Sequence, residues 1–142
     1  MKASNDPNAV FEYYKSTLDS LKNKYPNIKF VHLTIPLTTC HKGWKALVKK
    51  MLGKEVAGYR ENINRSKYNN LLKDFYKDEP VFDLSLIEST YPNGTRESFE
   101  IDSNVYYALV PEYTNDGGHL NEFGCKIVAK KLIIFLADLV KN

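Results

Sequence analysis

"KFVHLTI", residues 29–35, governs how the rest of this chain is read. The run reads as β-branched and apolar almost throughout. Runs of this sort are buried in a parallel sheet covered by helices. Pro26-Asn27 precedes it and Pro36 closes it.

The neighbouring segments supply such helices. Asp6-Pro7 reads as a helix start, with a carboxylate to cap free amides and a proline in the first turn. Val10, Phe11, Tyr14, Leu18 and Leu21 give that helix one apolar face to about Tyr25. Beyond the strand come a polar loop, "LTTCHKG", and a short helix, "WKALVKKML", ending at Gly53. A longer helix is expected over "ENINRSKYNNLLKDFYK", with Ile63, Tyr68, Leu71, Leu72 and Phe75 inward. "PVFDLSLI" reads as a second buried strand. "RESFEI" and "VYYALV", joined by "DSN", are expected to pair as a hairpin against the edge of the domain. A final amphipathic helix covers about 121–140, with Ile127, Val128, Leu132, Phe135, Leu136 and Leu139 as its core face.

This alternation is that of an α/β domain with parallel strands. Two parallel strands are few for helices of this number and apolarity, which implies further strands from an upstream segment or from another chain. At 142 residues the chain fits a single domain or part of one.

Charge and composition exclude several classes. The 20 basic and 17 acidic residues are interspersed along the helices, giving +3 without the dense basic face that nucleic acid requires. The longest apolar run, "LIIFLADLV", is broken by Asp138, so no membrane span is expected, and "MKASNDPN" lacks the apolar middle of a secretory signal. Nothing in the chain as given directs export, which makes the cytoplasm the default compartment. Cys40 and Cys125 are too few and too distant for a disulfide framework and are expected to be two buried thiols. Cys40, His41 and His119 do not have zinc spacing, and no metal or other cofactor is expected. His32 reads as a packed core histidine. Tyr13, Tyr14, Tyr59, Tyr68 and Tyr76 stand mostly at helical spacing and read as packing, with Trp44 the plausible pocket aromatic.

The chemistry-bearing stretch is "TNDGGHLNEFG", residues 114–124. A carboxylate three residues before a histidine in a tight loop can accept the imidazole Nδ1–H, fixing the tautomer and leaving Nε2 as a base. Gly117 and Gly118 permit the bend, and Asn121 suits the N-cap of the last helix. The same residues also make a good turn with no chemistry in it.

"DGGHLNEFGCKIVAKKLIIFLA" resembles the last sequence block of the SGNH (GDSL-type) hydrolases, in which Asp-x-x-His is followed by Leu or Pro, Asn, a Gly and a C-terminal helix. Asp116, His119, Leu120, Asn121 and Gly124 match in that order. "YPNIKFVHLTIPLTT" and "VFDLSLIES" are similar to the strands that precede that block in the family. The resemblance implies a three-layer flavodoxin-like parallel sheet with an added hairpin. It also implies Asp116 and His119 as acid and base of an ester hydrolase acting on small-molecule or carbohydrate esters. The family's Gly-Asp-Ser nucleophile block is not in the sequence, and there is no G-x-S-x-G elbow. Ser85 and Ser89 lack the glycine context of a nucleophile and read as loop or capping serines. Asn5, in "SND", lies where the family's oxyanion asparagine would fall, without the glycine of that block. Residues 1–142 therefore resemble the C-terminal part of one such domain, either lacking upstream strands or descended from a relative that has lost catalysis. An exposed strand edge and uncovered apolar helix faces would favour self-association.

Overall fold

In the computed structural model the described residues are 4–40, 48, 51, 52 and 56–141. The first helix, α1 (Pro7–Lys24), starts as the sequence predicts: the Asp6 carboxylate accepts the Asn8 N–H at 3.0 Å and Pro7 lies in the first turn. Its buried Phe11 and Leu18 join Tyr68, Leu72 and Tyr76 in one core cluster. Tyr68 and Leu72 belong to α2 (Tyr59–Phe75), and Tyr76 is its C-cap.

Strand β1 (His32–Leu33) pairs in parallel with β2 (Val81–Phe82), and α2 lies in the crossover between them. The ladder is much shorter than the seven-residue run from Lys29 to Ile35. One reason lies just past it, where the backbone of Ile35 bonds to a side chain instead of a strand. The Asn69 side chain of α2 accepts the Ile35 N–H at 2.7 Å and donates to its carbonyl at 3.0 Å. Among the described residues this sheet has two strands, and nothing pairs with the second edge of β1.

The expected strand "PVFDLSLI" is corrected: it is strand only at Val81–Phe82 and becomes a short helix, α3 (Leu84–Glu88). Asp83 causes the change. Its carboxylate accepts the Leu86 N–H at 3.1 Å, a helix N-cap that a strand has no use for. Lys73 from α2 holds the same carboxylate at 3.0 Å.

The expected hairpin forms from β3 (Ser98–Ile101) and β4 (Asn104–Tyr107), antiparallel. Asp102 and Ser103 take φ of 49° and 62°, the paired left-handed conformation of a tight hairpin turn whose twist suits the strands. Phe99 stacks on Tyr59 of α2 at 4.4 Å, so the hairpin rests against that helix. The architecture is thus α/β, with a small parallel sheet and a small antiparallel one.

The last helix, α4 (Glu122–Lys141), meets β2 through Phe135 and Phe82, whose rings lie 5.4 Å apart. Ile127 packs on the cluster of Leu37, Leu109, Val110 and Tyr113. The expected core faces are only partly covered: Leu136 of α4 and Phe75 of α2 are exposed. Ile133, Ile134 and Val140 of α4 are exposed as well, and Leu33 of β1 is half exposed. The register sets Leu33 beside Phe82, yet only Phe82 is covered. Among the described residues no helix is long and apolar enough to cross a membrane. The expectation of two buried thiols is also corrected, since Cys40 is buried but Cys125 is exposed, and no disulfide joins them.

Candidate active site

Asp116 and His119 are brought together by local geometry. His119 Nδ1 lies 2.7 Å from Asp116 Oδ2. The other oxygen, Oδ1, accepts the backbone N–H of His119 at 2.8 Å and of Gly118 at 2.9 Å, with the Thr114 hydroxyl at 3.2 Å. One carboxylate therefore both builds the turn and orients the ring. These donors, the His119 N–H first and then that of Gly118, hold the Asp116 carboxyl well below the usual range, so it is ionised at neutral pH. An ionised Asp116 can only accept, which makes Nδ1 the donor and, in the neutral form of the ring, puts the lone pair on Nε2. The imidazole is open to solvent, with its side chain 92% exposed.

The turn is tied to the parallel sheet from below. The carbonyl of Gly117 accepts the Thr39 N–H at 2.8 Å and the Thr38 hydroxyl at 2.7 Å. Thr38 and Thr39 follow β1, so the loop stands at the carboxyl end of a parallel strand, where ligands of open α/β sheets are commonly met. Gly117 has φ of 86°, and a Cβ there would lie 2.7 Å from the Thr39 hydroxyl oxygen. On the other side, Asn121 caps α4: its Oδ1 accepts the Gly124 N–H at 2.9 Å, and its amide donates to the Glu112 carbonyl at 2.9 Å. Tyr113, buried beneath, accepts the Asn121 N–H on its own carbonyl at 2.8 Å and donates its hydroxyl to Thr90 at 2.7 Å.

Sequence reasoning missed the residues that hold Thr38 and Thr39. Asn62 of α2 is fully buried; it accepts the Thr38 N–H at 3.0 Å and donates to the Thr38 carbonyl at 2.7 Å. Asn62 and Asn69 are seven residues apart on the inward side of α2 and do the same task at Thr38 and Ile35. Two asparagines at that spacing within an apolar stripe were the available signal, because buried amides need partners. Glu88 was missed too. Its buried carboxylate accepts the Leu37 N–H at 2.9 Å, one residue before Thr38. Burial pushes it up to about 7, against the downward pull of that N–H and of the Arg65 charge.

The other candidates fall as follows. The Asn5 carbonyl is bonded by the Asn64 side chain at 3.2 Å, so α2 ties down both Asn5 and Thr38 from positions two residues apart. Ser85 donates to the capping carboxylate of Asp83 at 2.7 Å, and the buried Ser89 donates back to the Ser85 carbonyl at 2.7 Å. Both hydroxyls are thereby engaged in the start and end of α3. His32 is buried between the Tyr14 hydroxyl at 2.8 Å and Glu79 at 3.1 Å, stacked on Tyr76. His41 and Trp44, and most of the short helix expected around them, lie outside the described residues. Among the described residues no group of three His, Cys, Asp or Glu is gathered in a way that could hold a metal ion.

No family model matches the chain, and no curated protein matches it. Its fold is similar to that of a solved structure provisionally named as a platelet activating factor from Streptococcus pneumonia, with a TM-score of 0.58 and 20% identity. The match covers 92% of this chain and 51% of that one, so the chain spans about half the length of that protein. At that identity the likeness shows a shared α/β fold.

Proposed function

We propose that this chain carries the acid and base of an SGNH-type serine ester hydrolase, on part of a three-layer flavodoxin-like sheet, and that the nucleophilic serine comes from strands outside residues 1–142. The observation that carries the reading is the 2.7 Å contact between Asp116 and the Nδ1 of His119, with Nε2 left as a base on an exposed ring. In the reaction, Nε2 takes the proton of the serine hydroxyl as its oxygen attacks the acyl carbonyl. Asp116 holds the ring and stabilises the imidazolium that forms. The imidazolium then gives that proton to the departing alkoxide, and a water activated by Nε2 hydrolyses the acyl-enzyme.

The likeness to a structure twice as long, the second edge of β1 and the incompletely covered α4 support a sheet that continues past β1. Residues 1–142 alone are expected to hydrolyse p-nitrophenyl acetate no faster than the same chain carrying His119→Ala. Turnover by the unmodified chain that His119→Ala abolishes would place the nucleophile within it and defeat the proposed division. Fused behind a Gly-Asp-Ser strand segment, the chain should gain activity that His119→Ala removes.

A second reading is favoured by the exposed Ile133, Ile134 and Val140 of α4: an α/β interaction domain that keeps the hydrolase architecture without catalysis. It predicts that the fused form binds its partner but stays inactive.

A further inference from the structure

A groove of about 780 Å³ opens between α3 and α4, and neither Asp116 nor His119 lines it. Its walls are Leu86 and Ile87 of α3 and Phe123 and Ile127 of α4. The size is that of a small-molecule site. Two cations, Arg96 and Lys131, stand on the lining, and no carboxylate does.

The state of Arg96 makes this combination specific. Its Nε donates to the Ser89 hydroxyl at 3.0 Å, and its guanidinium lies 3.3 Å from the centre of the Tyr107 ring. Both partners are neutral, and the one carboxylate that acts on the Arg96 charge, Asp83, is not on the lining. Lys131 is exposed on α4, one helical turn after Ile127. Apolar walls with two cations and no carboxylate among the lining residues complement a molecule that is itself apolar along its length and negative at one point.

We propose that this groove binds a single-chain fatty carboxylate, with the alkyl chain along Leu86, Ile87, Phe123 and Ile127 and the carboxylate held by Arg96 and Lys131. The site does not depend on His119 or on any reaction there. Charge selectivity separates it from simple adsorption of greasy molecules, because an apolar wall alone does not distinguish an acid from an alcohol of the same chain length.

Calorimetric titration of the full chain with dodecanoate, below its micelle concentration, and with dodecanol tests this. Dodecanoate should bind with defined stoichiometry and dodecanol several-fold more weakly. Lys131→Gln should weaken dodecanoate by about threefold, as expected for one exposed charge contact, and leave dodecanol unchanged. Lys130→Gln, on the same helix but off the lining, should alter neither. Ile127→Asp should abolish binding of both, with circular dichroism verifying its fold; if it does not fold, the two lysine variants decide. Equal affinity for acid and alcohol, equal effects of the two lysine variants, or no binding would each overturn the proposal. His119→Ala should bind dodecanoate as the unmodified chain does, so failure of the hydrolase reading and failure of this one are told apart.

Discussion

Gly117 and Gly58 converge on the same few atoms. Gly58, at the start of α2, has φ of 88°, and a Cβ there would lie 2.2 Å from the Thr39 carbonyl oxygen. Gly117 meets only the Thr39 side chain, which can rotate. Alanine at Gly117 should therefore cost about 1–2 kcal/mol, the usual cost of a left-handed residue with a Cβ. Alanine at Gly58 should cost more, because the backbone of the loop beneath the site has to move as well. Urea denaturation of the two variants checks the order. The pairing of Asp116 with His119 was legible from spacing, since three residues and two glycines are enough to specify it. The clamp beneath was not legible. The bonds from Asn62 to Thr38 and from Thr38 to Gly117 span 24 and 79 residues, and no local pattern announces them.

At the scale of elements, α3 couples acidity to the geometry of that clamp through Glu88. Its carboxyl is raised to about 7 against an ordinary 4.5, chiefly by burial, so the folded state favours the protonated form. The stability this contributes is fully present below about pH 4.5 and is lost as pH rises through about 7. The full change is on the order of 3 kcal/mol. Denaturation midpoints should fall between pH 5 and pH 8 in the unmodified chain, and Glu88→Gln should flatten that slope. Tyr76, capping α2, is a second case. Its hydroxyl is buried and finds no hydrogen-bond partner among the described residues. Tyr76→Phe keeps the ring stacked on His32 and should leave stability unchanged or raise it by about 1 kcal/mol, whereas a hidden partner would make it destabilising.

The same elements explain why their limits were less readable than their existence. Helical periodicity located α1, α2 and α4 because it repeats over many turns. The run "VFDLSLI" is apolar on both sides of Asp83, and apolarity does not distinguish a buried strand from a short buried helix. The cap decided it. Parallel strands hide their length for a related reason: β1 is as long as its partner allows, and the partner is distant in sequence.

For the molecule as a whole, two surfaces are unusual for a chain that stays single: the second edge of β1, and an α4 whose Ile133, Ile134 and Val140 are exposed. Sedimentation velocity should show a weight-average mass that rises with concentration. Aspartate at both Ile133 and Ile134 should lower that rise. A single monomeric boundary at every concentration would count against an incomplete sheet.

Cys125 offers a way to watch that surface. Its thiol is exposed in the first turn of α4, with Sγ 3.8 Å from the Leu120 carbonyl, while Cys40 is buried. A maleimide dye added under native conditions should therefore mark Cys125 long before Cys40, without any engineered residue. Set just beyond His119, that dye would report by its emission the arrival of whatever comes to rest on this end of the chain.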